Sequence, residues 1–201
     1  MTVLLSKPTD TIRRTVVLQG FKDIMFHRYP GENSTKLEPS QKLYLGPTQG
    51  SQLPVIGLPA ANIMSFLSAH NTNSAPKRLR DKRKYKDIAN ACLSFVDIEE
   101  TFIPFLRDGE PIRFGKFEDD IDPVSKCYIH RSVARLDKGI PNPKVRPVLP
   151  VAWSLMFHLR LHPNKEIKEQ EIMNLIADGG TALGLGTFRG VFGKFDIANW
   201  E

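Results

Sequence analysis

The chemistry this sequence offers begins with a run of cations. Lys77, Arg78, Arg80, Lys82, Arg83, Lys84 and Lys86 place seven bases within ten residues, accompanied by one acid, Asp81, and one aromatic, Tyr85. Bases in such a run neutralise phosphates and release counterions, and a tyrosine offers a stacking face. The plainer reading is a solvated loop that keeps the protein soluble. The chain holds 28 basic and 22 acidic residues for a net charge of +6, so this segment carries the whole excess and the rest balances. The expected attraction for a polyanion is therefore local rather than diffuse.

A second basic group comprises Lys126, Arg131, Arg135, Lys138, Lys144 and Arg146, with Asp137 as its only acid. Arg131 and Arg135 are four apart and would share one face of a strand. Glu118, Asp119, Asp120 and Asp122 lie close enough in sequence to neutralise the group, and both readings stand. The acidic stretch matches no calcium loop, and the two cysteines, Cys92 and Cys127, form no zinc motif, so no metal or other cofactor is expected. A glycine-rich loop, GLGTFRGVFG, carries Gly184, Gly186, Gly190 and Gly193 beside Arg189 and Lys194. Absent side chains let backbone amides approach a phosphate, and Arg189 can fork onto it. The order helix, loop, strand is not that of a dinucleotide fingerprint, and Phe195 stands where a P-loop needs Ser or Thr. The alternative is a tight connection that requires positive φ. Of the histidines His27, His70, His130, His158 and His162, none has a triad or carboxylate partner at catalytic spacing. His158 and His162 would sit about 13 Å apart along a strand, too far to share a metal.

These residues need elements to hold them. Residues 11–20 predict a strand ending at Gly20, and 28–54 a long loop with a short strand near 43–45. A helix follows with Pro59 in its first turn and Ile63, Phe66, Leu67 and His70 on one face. Residues 71–76 break it before the basic segment. One or two strands are expected over 92–106, with Pro104 at an edge or bulge. Residues 107–125 read as irregular, 126–136 as a strand, and the proline-rich 137–150 as an extended surface crossing. In 151–162, Trp153, Leu155, Phe157, Leu159 and Leu161 alternate with Ser154, Met156, His158, Arg160 and His162, which predicts a strand with one buried face. Asn164 would cap a helix over 165–178 that stops at Gly179 and Gly180, and the glycine loop would feed a closing strand. Two strand–helix–strand halves then make an α+β, ferredoxin-like (RRM-like) βαββαβ core. It would form a single domain over 1–201, with a basic arm at 71–90 and an insertion at 107–150.

Three segments carry a family resemblance. The ending GLGTFRGVFGKF resembles the glycine loop of the repeat-associated (RAMP-type) RNA-binding superfamily, which supplies backbone and processing subunits of CRISPR effectors, and is similar to endings of phage proteins. TIRRTVVLQGFKDIMFH resembles that family's opening strand and turn, and VIGLPAANIMSFLSA its strand-to-helix passage. The resemblance implies a nucleic-acid-binding module that lines up in multiple copies along a strand, by self-association or within a nucleoprotein complex.

The expected function is non-catalytic binding of single-stranded RNA or DNA. The 77–86 arm would grip the backbone, Arg189 and Lys194 would hold phosphates, and His158, Arg160 and His162 would lie on the open sheet face. Alternatives are a metal-independent endoribonuclease with His130 or His158 as base, and a protein-binding inhibitor or structural subunit. No 18-residue apolar run and no secretory signal are evident, so the expected setting is cytoplasmic, with no membrane partner.

Overall fold

Alternation along 151–162 builds the central strand. In a computed structural model that describes residues 10–32, 36–48, 50, 52–68, 85–135 and 141–201, Leu155, Phe157, Leu159 and Leu161 are buried while Met156 and Arg160 are exposed. In chain order the elements are β1 (Ile12–Gly20), β2 (Ile24–Met25), a 3-10 turn (Ser40–Lys42), β3 (Gly57–Pro59), α1 (Ala60–Ser68) and α2 (Tyr85–Phe95). There follow β4 (Val96–Ile98), β5 (Phe102–Arg107), β6 (Glu110–Pro111), β7 (Tyr128–Arg135), β8 (Pro141–Leu149), β9 (Ser154–Leu161), α3 (Glu169–Ala182) and β10 (Phe195–Trp200). The protein is α+β, with two antiparallel sheets.

The larger sheet runs β10-β1-β9-β5-β3, with β4 also paired to β9 and β6 to β5. β4 meets Leu159–Leu161 and β5 meets Ser154 and Leu155, so together they lie along β9 as one interrupted strand. Pro104 falls inside the sheet, opposite Gly57 of β3, at the place where the ladder to β9 is broken. A proline is tolerated there because the missing donor interrupts no pairing with β9. The helices pack on one another, α1 touching both α2 and α3. Below them Phe26, Phe105 and Trp153 form an edge-to-face series with centroids 5.6 and 5.4 Å apart.

Several expectations are corrected. Cys92 belongs to a helix, not a strand, because Ile88, Cys92 and Phe95 recur at helical spacing and face the core. Helix α2 therefore begins inside the span expected for the basic arm. The third helix begins four residues later than expected. Asn164 does not cap it; its Oδ1 accepts from the amides of Glu166 and Ile167 and turns the chain beforehand. Glu171 takes up the start of the helix by accepting from the Lys168 amide at 3.0 Å. Gly179 and Gly180 lie within the helix, not after it. A Cβ on Gly180 would sit 2.5 Å from the Phe195 carbonyl oxygen, so glycine here sets how closely α3 lies on β10. Pro59 closes β3 instead of entering the helix.

The proline-rich stretch is a paired strand. β8 joins β7 from Tyr128↔Val148 to Arg135↔Pro141, and β2 pairs with its far end, giving a sheet ordered β2-β8-β7. Pro141, Pro143 and Pro147 are all at odd positions, whose backbone groups point away from β7. On that side the carbonyls of Val145 and Pro147 accept from Lys42 Nζ and the Phe26 amide. Prolines are compatible with β8 because they interrupt no bond to β7.

Candidate functional site

Lys144 and Arg146, at even positions of β8, lie opposite Ser132 and His130 of β7. The 3-10 turn brings Lys42 across, its ammonium donating to the Val145 carbonyl at 2.6 Å. His27, just past β2, completes a cleft of about 750 Å3 between the ribbon and residues 36–42. Lys144 and Arg146 make no ion pair among the described residues, and the carboxylate of Glu38 lies at the cleft wall. The Arg146 Nε is buried without a hydrogen bond, and its Nη1 lies 3.9 Å from the Met25 sulfur.

The charges tell on one another. Burial pushes His27 down from its ordinary value, and the positive field of Arg146, Lys42 and Lys144 pushes the same way. Burial lowers Lys42, with Arg146 and Lys144 adding to it and Glu38 opposing. Burial alone lowers Arg146. A group of like charges that depresses its members' proton affinity is stabilised by an anion placed among them.

A second cavity of about 220 Å3 adjoins at His27 and is walled by Tyr44, Asn62 and Ser65 on one side and the glycine loop on the other. Arg189 lines it, half-buried, its guanidinium 6.0 Å above the Phe66 ring and its charge form disfavoured by burial. The loop itself does not present a ring of amides. Amides at Gly184, Leu185, Thr187, Gly190 and Gly193 all donate to protein carbonyls, those of Thr187 and Gly193 to Met25 and Asp23. Gly186 has φ +76°, and a Cβ there would sit 2.5 Å from the Met25 carbonyl oxygen. The tight-connection role of these glycines is therefore what the backbone displays.

Gly186 and Arg189 thus line the smaller cavity, and Lys144, Arg146 and Arg131 the larger cleft, the two sharing His27. Arg131 is held by Asp120 through its two terminal nitrogens, Nη1 and Nη2, the latter bond at 2.9 Å, which keeps the Asp120 carboxyl below its ordinary value. Neutralisation by the acidic stretch is the arrangement found for this arginine. Asp122 turns inward instead. Burial pushes its carboxyl up, but the Ser125 hydroxyl and the amides of Gly115, Ser125 and Val124 outweigh that and hold it below the usual value. No cluster of three or more His, Cys, Asp or Glu among the described residues is placed to hold a metal.

Other expected site residues lie elsewhere. His158 and Arg160 are on the open face of the larger sheet, where Glu100 meets His158 Nδ1 at 2.5 Å and Glu99 meets Arg160 Nε at 2.7 Å. Glu99 also accepts two bonds from Arg13, and these guanidinium contacts bring its carboxyl down to about 2. That face carries its own counter-charges. Lys194 sits at the foot of β10, where its carbonyl accepts from Phe21 and Lys22, and it does not line the cleft. His162 is beside β1, its ring near the Thr11 hydroxyl. His130 packs edge-on against Phe192 of the glycine loop at 5.5 Å.

Lys77, Arg78, Arg80, Lys82, Arg83, Lys84 and Lys138 lie outside the described residues, as does His70. Tyr85 and Lys86 open α2 and Arg135 ends β7, but their side chains are outside the description. His27 and Lys42 are among the cleft residues that spacing did not single out as binding groups. Both sit in or beside a Pro/Gly/Ser-rich stretch where no period marks a face. No helix of the described residues is long and apolar enough to cross a membrane. No protein-family model matches this chain, and a search of curated proteins found no match.

Proposed function

We propose that this chain is a non-catalytic binding protein for single-stranded nucleic acid, RNA or DNA, and that the cleft bounded by His27, Lys42, Lys144 and Arg146 is its phosphate-binding groove. The observation that carries the reading is the convergence of Lys42, Lys144 and Arg146, from two separate segments, beside a buried and unpartnered guanidinium nitrogen. Single strands need a charged groove that follows the backbone and nearby surfaces for bases. The cleft supplies the first and continues past His27 toward Arg189. The seven bases of 77–86 add a local attraction for the same polyanion.

The strand order supports the finer fold reading. β1, the β4–β5 line, β9 and β10 run in the order β10-β1-β9-β5, and helices precede β4 and β10. This is the spatial order of a ferredoxin-like βαββαβ unit, with β2, β3, β6, β7 and β8 as additions. It supports the proposed kinship with the repeat-associated RNA-binding superfamily, from which assembly of copies along a strand would follow. Cys92 and Cys127 are both buried and form no disulfide, in keeping with a cytoplasmic setting.

Fluorescence anisotropy with labelled 20-nucleotide RNA and DNA strands tests the proposal across a salt series. Each phosphate neutralised on a single strand contributes roughly 0.7 to the log–log salt slope. The triple substitution K42E/K144E/R146E is expected to lower that slope by about 2 and to abolish binding at about 0.15 M salt. A wild type indifferent to both strands at low salt overturns the reading, as does a triple variant with an unchanged slope. Cleavage of the RNA strand without added metal would replace it with the endoribonuclease alternative.

A further inference from the structure

The exposed end of the glycine loop holds an aromatic side chain that neither packing nor turn chemistry selects. Phe188 is 51% exposed and has φ +57°, in the left-handed region that favours glycine. Burial gives it little, and its backbone conformation disfavours a branched or bulky side chain. Strained positions of this kind persist only where the surroundings hold them, and they gather at functional sites. Here the holding contacts are visible. The Phe188 carbonyl accepts from the Val191 and Phe192 amides, and the neighbouring Thr187 amide is tied to Met25.

The ring is also backed by other rings. Phe192 lies 5.9 Å away at a 30° tilt, and His130 meets Phe192 edge-on at 5.5 Å. His130 is the cross-strand neighbour of Arg146, so the aromatic group borders the cationic cleft. Arg189, the next residue along the loop, lines the adjoining cavity.

We infer that Phe188, seated on Phe192, is a stacking platform for a base of the single strand whose phosphates occupy the Lys42–Lys144–Arg146 cleft. This rests on the nucleic-acid reading above and adds to it a contact that is insensitive to charge. Stacking suits a site of this composition because every base presents a π-face, whereas the cleft cations recognise only the backbone.

The test uses the full chain with Phe188→Ala, Phe188→Leu, Phe188→Trp and Phe188→Gly, measured against a labelled 20-nucleotide uridine or thymidine strand. Phe188→Ala is expected to weaken binding about 5- to 150-fold without changing the salt slope. Phe188→Leu falls equally, because it restores apolar area but no π-face. Phe188→Trp binds within a few-fold of wild type, and its fluorescence is quenched by the strand. Phe188→Gly binds as weakly as the alanine variant yet melts no lower than wild type, which separates the contact from fold damage. Wild-type affinity in Phe188→Ala overturns the inference while leaving the groove intact. Rescue by leucine overturns it in favour of apolar docking to a protein. A wild type that binds no strand at low salt removes the groove and the platform together.

Discussion

Asp23 joins the parts of the molecule that frame the cleft, and removing its carboxylate is the sharpest test of how they are held. It lies between β1 and β2, where its Oδ2 accepts from the Tyr128 hydroxyl at 2.9 Å and its Oδ1 from the Val151 amide at 3.1 Å. Its backbone carbonyl accepts from Gly193 at 2.7 Å, a bond that any substitution leaves in place. Hydrogen bonds to a charged partner contribute roughly 1.5–3 kcal/mol each, and an amide beside solvent regains part of that from water. Asp23→Ala is therefore expected to cost about 2–4 kcal/mol, most of it from the half-buried Tyr128. Urea unfolding of Asp23→Ala, Tyr128→Phe and the double variant isolates the pair, with an expected coupling of at least about 1.5 kcal/mol. Alkaline titration supplies an independent readout. Burial, then the hydrogen bond and charge of Asp23, push the Tyr128 phenol up to about 12 from an ordinary 10. The neutral phenol thus contributes stability that is fully present below pH 10 and is lost as pH rises towards about 12. In Asp23→Ala burial alone remains, so Tyr128 ionises at lower pH. A coupling below about 0.5 kcal/mol, together with an unmoved tyrosine titration, refutes the reasoning.

Three further outcomes follow from the same geometry. Glu99 is held at about 2 by its bonds to Arg13 and Arg160, so its contribution is present above pH 4.5 and lost as pH falls towards about 2; Glu99→Gln should remove that acid-side loss from the stability–pH curve. Gly186→Ala meets both a positive φ and the Met25 carbonyl, at a cost above about 1–2 kcal/mol. Calorimetry should show its melting temperature lowered by at least about 2 °C. His27 has a depressed proton affinity that an anion in the cleft would restore, so strand affinity should rise as pH falls below about 6.5. His27→Gln should flatten that dependence, and equal pH profiles for the two proteins would exclude His27 from the groove.

Much of the main sheet was legible because its strands have a solvated face. Alternation in 154–161 places Leu155, Phe157, Leu159 and Leu161 inward without knowledge of any partner strand. β1 was legible from its β-branched composition, and β7, in the smaller sheet, from a strand-like one. Helix α2 was not, since the basic run ahead of it and the β-branched residues after it masked the helical spacing of Ile88, Cys92 and Phe95. β8 was obscured by its prolines. They exclude helix, but whether they permit pairing depends on which side of the strand is bonded, and only the neighbour decides that.

The candidate site divides along the same line. Sequence alone determines that the charge excess is local, that the glycine loop lies between a helix and a strand, and that Arg131 has acids within reach. These depend on covalent order and on residue type. Tertiary structure decides which cations act together. Lys42 and Arg146 are 103 and 121 residues away from the carbonyl and the sulfur that they approach, or are approached through, in the same region of the fold. It also turns Arg160 and His158 toward glutamates and leaves Lys144 and Arg146 around a cleft. Coulomb interactions fall off over ångströms of space, not residues of chain, so a count of charges gives the local excess while only the fold decides which cations share a field.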